Sequence, residues 1–209
     1  MKSEAKNTLT LEQFRGMWAK ALERINEQEQ ALTALDAKIG DGDHGTAILQ
    51  ALSSVVEAGG SAEEFKSMLT DMGMNVMMQT SGSTSSLMGA FLLGMSDHAG
   101  GTCLDAAQVR EMFSGGLQGL NKQTKATVGD KTMMDAVIPA IEAMQKHEAT
   151  DIKALFSAAA DAAREGADAT VHMQARFGRA RNYGERSVGT ADAGATSWAC
   201  MFEAFRDTL

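Results

Sequence analysis

The segment Leu35-Asp36-Ala37-Lys38-Ile39-Gly40-Asp41-Gly42-Asp43-His44-Gly45-Thr46 places three aspartates and three glycines between two helical patterns. Gly40, Gly42 and Gly45 satisfy G-x-G-x-x-G, but that fingerprint needs a preceding strand and a bare pyrophosphate. The preceding residues read as helix. Carboxylates beside a phosphate would be repelled by about 4 kcal/mol per contact at about 4 Å and an effective dielectric of about 20. An EF-hand starting at Asp41 would need carboxylates where Gly45 and Leu52 stand. The arrangement suits a hard divalent cation held by carboxylate oxygens, with open positions left for phosphate. Asp36 would project from the last turn of one helix, and Asp41 and Asp43, two apart in a glycine loop, can converge on one side. The helix expected to start near Thr46 adds amide donors and a positive dipole end. The competing reading is a capped, solvated loop whose acids favour a helix N-terminus.

Three further stretches could meet such a cation–phosphate group. Ser81-Gly82-Ser83-Thr84-Ser85-Ser86 sets small hydroxyl residues just before the apolar run Leu87 to Met95, as a phosphate-cradling nest or an ordinary cap would. Gln174 to Ser187 carries Arg176, Arg179, Arg181 and Arg186 among glycines, suited to phosphate, to a partner's carboxylates or to a solvated ion-paired loop. Asp192-Ala193-Gly194-Ala195-Thr196 opens the last helix, with Asp192 a cap or hydroxyl acceptor. Gly129-Asp130-Lys131-Thr132-Met133 opens another, but no Walker A loop occurs anywhere. Only His44 of the four histidines lies in a suspected site; His98, His147 and His172 read as surface residues.

The elements that must position these residues read as helices. Thr10 and Gln13 form a capping-box pair, followed by Leu11, Phe14, Trp18, Leu22 and Ile25 at helical spacing. Ser61 and Glu64 repeat the cap ahead of Phe65, Met68, Leu69, Met72 and Val76. Similar patterns cover 46 to 58, 86 to 97, 104 to 120, 132 to 146, 151 to 173 and 195 to 207, and no sustained two-residue alternation occurs. The lone proline, Pro139, should kink or break its helix, and the 15 methionines read as core filler. The reading is an all-α fold of eight or nine helices, antiparallel across short connections, with 1–209 as a single domain.

Composition narrows the partners. A net charge of -8 argues against a nucleic-acid surface. The first residues lack the apolar stretch of a secretory signal, and no run approaches the ~20 residues that span a bilayer. A cytoplasmic location is expected. Cys103 and Cys200 show neither disulfide nor zinc spacing and read as small buried hydrophobes.

Taken together, Ile39 to Gly45, Gly129 to Met133, Gly178-Arg-Ala through Gly184-Glu-Arg-Ser187, and Gly194-Ala-Thr196 resemble the nucleotide-binding L subunit of dihydroxyacetone kinase. The motifs follow the family order across nearly the whole chain. The resemblance implies a barrel of eight antiparallel amphipathic helices with ADP or ATP and two magnesium ions at one rim. It implies that Asp36, Asp41 and Asp43 hold the ions and that His44, Gly45, Thr46, Ser83, Thr84, Thr124, Met133, Arg179, Asp192 and Gly194 surround the nucleotide, with Arg179 also positioning the transferred group. It further implies a separate K-type subunit that holds the ketose covalently, and a donor that is either ATP or a phosphotransferase-system phosphocarrier.

The chain departs from the family pattern in places. Ser81 and Ser85 stand where the family has glycine, Ala193 where it has proline, and Thr124 where it has a glycine near the base. These changes bear on base contacts and on the ketose, for which erythrulose is a candidate. The rival functions are a non-catalytic nucleotide-sensing regulator, an acyl-phosphate kinase domain like that of fatty-acid kinases, and a phosphatase.

Overall fold

A computed structural model describes residues 7–79, 81–148 and 150–209. The opening residues 1–6, part of the stretch read above as lacking a signal, lie outside the described residues. The described chain forms α1 (Leu11–Asp36), α2 (His44–Ala58), α3 (Phe65–Gln79), α4 (Ser83–Ser96), α5 (Ala106–Gln123), α6 (Met134–Lys146), α7 (Ile152–Ala169) and α8 (Ala193–Thr208). The 3-10 turn Thr170–His172 and a 3-10 segment Arg179–Ser187, kinked at Gly184, lie between α7 and α8. Each helix packs on the next in sequence, and α8 packs back on α1, so the eight close into a ring. No described helix is long and apolar enough to cross a membrane.

Local chemistry sets the ends. Thr10 caps α1 through a reciprocal box with Gln13, as the spacing predicts, and Asp105 caps α5 in the same way with Gln108. The expected Ser61–Glu64 cap does not form. Instead α3 begins at Phe65, where the Glu64 carbonyl accepts from the Met68 amide and the Ser67 hydroxyl. α6 continues through Pro139, which removes one backbone donor from its second turn without ending the helix.

The ring encloses an aromatic core. Phe14 meets Phe65 at 5.4 Å between centroids, Trp18 meets Phe205 at 5.0 Å and Phe91 meets Trp198 at 5.0 Å, all edge-on. Pairs of this kind add roughly 0.5–1.5 kcal/mol each beyond their area burial. Most described methionines fill gaps around these rings, but Met74, Met77 and Met78 near the end of α3 are exposed, against expectation. The stripe that α3 buries runs through Phe65, Met68, Leu69, Met72 and Val76, which turns those three outward.

A feature the sequence did not signal is a two-stranded antiparallel clip, β1 (Thr8–Thr10) with β2 (Cys103–Asp105), joining the segments that lead into α1 and α5. Three residues are too few to show a two-residue period. On β2 the alternation buries Leu104 and turns Cys103 outward, so of the two cysteines only Cys200 is buried as expected.

Candidate functional site

The end of α1 and the starts of α2, α4, α6 and α8 meet at one rim of the ring, around a cavity of about 390 Å³. The four even-numbered helices therefore aim their N-terminal ends at one space. Each such end carries unpaired amide donors and a positive partial charge.

The acidic loop supplies the opposite charge. Asp36, the last residue of α1, accepts at Oδ2 from the amides of Gly42 at 2.8 Å and Asp43 at 3.1 Å. A Cβ on Gly40 would sit 2.2 Å from Asp36 Oδ1, so a glycine is needed for the carboxylate to fold under its own loop. Asp43 precedes α2 without capping it, which leaves its carboxylate for other partners. Asp36, Asp41 and Asp43 each offer a carboxylate oxygen, and these atoms lie within 4.8 Å of one another. Three carboxyls so placed, one of them already fixed by backbone amides, fit a hard divalent cation.

Arg179 meets this cluster across the cavity, paired with Asp41 and 3.8 Å from Asp43. Desolvation pushes Asp41 upward, but a hydrogen bond with Asp43 and the Arg179 guanidinium outweigh it and hold the carboxyl below its ordinary value. At Asp43 burial and the neighbouring Asp41 win over Arg179, and the carboxyl is held above its ordinary value.

His44 is tied to the far side of the rim. The Ser197 hydroxyl donates to the Gly194 carbonyl at 2.9 Å, so its oxygen is left to accept from His44 Nε2, also at 2.9 Å. Burial holds the His44 pKa below the usual imidazole value against the pull of Asp36, which keeps the ring neutral with its proton on Nε2. Asp192 caps α8 by accepting from the Ala195 amide at 2.7 Å. Desolvation pushes its carboxyl up to about 7, with the nearby Asp135 and Asp36 charges adding to the rise.

Of the residues singled out in the sequence, the cavity wall includes Asp36, Asp41, Asp43, His44, Ser83, Thr84, Met133, Arg179, Asp192 and Gly194. Gly45, Thr46 and Thr124 stand outside it. Gly45 faces α1, where a Cβ would lie 2.1 Å from the Glu29 carbonyl. The Thr46 hydroxyl donates to Glu29 at 2.8 Å, and Thr124 ends α5 with its oxygen accepting from the Ala126 amide. The hydroxyl run is itself the first turn of α4: Gly82 is the N-cap, and Ser85 and Ser86 donate back to its carbonyl. Ser81 and Gly82 line the cavity beside Ser83 and Thr84.

Sequence reasoning missed Lys131, Phe177 and Trp198 as cavity residues. A lysine in a polar turn reads as solvated, and the aromatic pair reads as core. The flanking Gly129-Asp130 and Gly178-Arg179 turns were the available signals. Asp135, fully buried, knots the first of these turns by accepting from the amides of Gly129 at 2.6 Å and Thr132 at 2.8 Å.

The chain matches known proteins over most of its length. Residues 38–207 match the DAK2 domain family. The chain is 34% identical over 190 residues to the ADP-binding subunit DhaL of PEP-dependent dihydroxyacetone kinase 1 from Listeria innocua, covering 89% of this chain and 90% of that one. It is 33% identical to the corresponding Escherichia coli subunit over 86% of this chain and 88% of that one. It is 37% identical to D-erythrulose kinase of Mycolicibacterium smegmatis over 90% of this chain, which corresponds to 33% of that longer protein. The structure aligns with the dihydroxyacetone kinase from C. freundii in complex with AMP-PNP and Mg2+ at a TM-score of 0.73 and 25% identity, over 93% of this chain and 33% of that one. The closed helical ring, the carboxylate trio at its rim and these matches together make this chain a member of the DAK2 domain family, related to the ADP-binding subunits of dihydroxyacetone kinases.

Proposed function

We propose that this chain, as one folded unit, carries a magnesium-bound adenine nucleotide, ADP or ATP, for a kinase acting on dihydroxyacetone or a related short ketose. The ketose is held by a separate K-type subunit, and the phosphoryl group comes from bound ATP or from a phosphotransferase-system phosphocarrier. The observation that carries this reading is the placement of three clustered carboxylates among four helix N-termini at one rim. A lone acidic cluster would repel phosphate, and lone helix ends would bind any anion. The combination selects an anion that arrives with its own cation.

Asp36, Asp41 and Asp43 would hold the magnesium, as two ions. Bound there, the metal supplies charge neutralisation for the phosphates. The protein contributes placement. Asp36 is fixed in advance by two amides, so little ordering is left for the moment of binding. The first-turn residues Ser83 and Thr84 face the cavity with the amide-rich end of α4. Neutral His44, held by Ser197, joins α2 to α8 and keeps two of the four helix ends in register. Arg179 is mostly exposed and makes an ion pair of modest strength, so it can exchange a carboxylate for a phosphate oxygen. Among the relatives, the D-erythrulose and dihydroxyacetone kinases differ in ketose, in keeping with a nucleotide module that leaves substrate choice to another part.

The test is calorimetric titration of ADP with and without magnesium. Wild type should bind only with the metal, and Asp41→Asn should weaken binding at least ~100-fold with an unchanged circular dichroism spectrum. Metal-independent binding, or full affinity in the variant, refutes the assignment.

A further inference from the structure

Lys131 is the one non-glycine residue with a positive φ, 60°, among the described residues, and it is 1% exposed. A left-handed backbone favours glycine, and burial disfavours an ammonium. Both features run against lysine, so the position depends on what the side chain does. Its Nζ donates to the Thr170 carbonyl at 2.6 Å and to the Thr190 carbonyl. Thr170 follows the last turn of α7, and Thr190 lies two residues before the cap of α8. The Thr170 hydroxyl accepts from the Asp192 amide at 2.9 Å and donates to the Ala167 carbonyl at 2.6 Å. One ammonium and one hydroxyl therefore set the path into α8.

That path forms one wall of the cavity. Gly194 lies against Met133, two residues beyond Lys131, so closely that a Cβ on Gly194 would be 3.4 Å from Met133 Cβ. Asp192 caps the same turn, and Lys131 itself lines the cavity. Burial holds the ammonium pKa below its usual value, opposed by the charges of Asp192 and Asp135. The wall offers a thioether side chain, bare backbone and the Asp192 carboxyl as a hydrogen-bond partner. It suits a flat ring and hydroxyl groups.

Building on the nucleotide reading above, we propose that Lys131 is a positioning residue whose ammonium ties the ends of α7 and α8 to the start of α6 and thereby sets the Met133–Gly194–Asp192 wall for the nucleoside part of the ligand. The aspartate cluster, across the cavity, grips the metal and phosphates. Because Lys131 directs its bonds to two backbone carbonyls, it acts on the ligand through the wall.

The experiment compares magnesium ADP with magnesium pyrophosphate, which lacks the nucleoside, on wild type, Lys131→Met and Lys131→Gln. Lys131→Met should lose at least ~10-fold in ADP affinity, with pyrophosphate within about twofold of wild type. Lys131→Gln, which keeps amide donors for the carbonyls, should recover part of the loss. Should the methionine variant fail to fold, the glutamine variant decides through the same comparison. Equal losses for both ligands would make Lys131 a phosphate ligand or a general fold element and overturn the proposal, as would an undiminished ADP affinity. Wild type that binds neither ligand would instead overturn the nucleotide reading on which the proposal rests.

Discussion

The Arg179 guanidinium lies on the Asp41 carboxylate and reaches within 3.8 Å of Asp43, so a side chain from the segment between α7 and α8 bears the positive charge at the acidic cluster. A divalent cation entering the same cluster competes with it.

Removing that competitor should favour the metal. Exposed ion pairs contribute about 0.2–1 kcal/mol, so Arg179→Met should tighten manganese binding to nucleotide-free protein by about 1.5- to 5-fold, read by electron paramagnetic resonance. Weaker manganese binding in the variant would show that Arg179 supports the cluster rather than competing for it.

Asp192 gives a pH dependence of definite sign. Its carboxyl is raised in the folded protein from 3.8 to about 7, so the folded state holds a proton that the unfolded chain releases. The stabilising contribution is complete below pH 3.8 and is lost as pH rises through about 7. Asp192→Asn keeps a good helix cap and removes the titration. In metal-free buffer, the stability advantage of the variant over wild type should grow between pH 5 and 8, by up to about 1.4 kcal/mol per pH unit. Parallel melting curves across that range would exclude a buried carboxyl that titrates there.

At Gly45 the backbone of α2 lies close against α1 beside the site. A methyl group there would meet the Glu29 carbonyl at 2.1 Å and the Thr33 amide nitrogen at 2.9 Å, both backbone atoms that cannot rotate away. Gly45→Ala should cost about 1–3 kcal/mol in urea unfolding, the usual range for overpacking. An unchanged midpoint would mean that the two helices can separate freely.

The helices were legible because their signals are local. The Thr10–Gln13 box and the stripe beginning at Leu11 involve residues three and four apart, and both appear as expected in α1. The Ser61–Glu64 pair failed with the same letters: the chain enters α3 with the Phe65 amide donating to the distant Gly101 carbonyl, and no sequence window contains that bond. Thr46 and Thr124 illustrate the same limit at the site. Thr46 stands beside the Gly45 motif residue and Thr124 a few residues before Gly129, yet Thr46 turns toward Glu29 and Thr124 toward its own loop.

The sequence by itself determined the all-α class, the acidic glycine loop with its three carboxylates, and the family to which these motifs belong. Those properties depend on composition, periodicity and order, which the linear chain carries in full. Only the tertiary structure decided that residues near 36, 83, 131, 179 and 192 share one cavity, because closing the ring of α1 onto α8 is a packing event between distant surfaces. It alone decided the environment of Lys131, whose charge marks it as a surface residue until the carbonyls of Thr170 and Thr190 are brought to it.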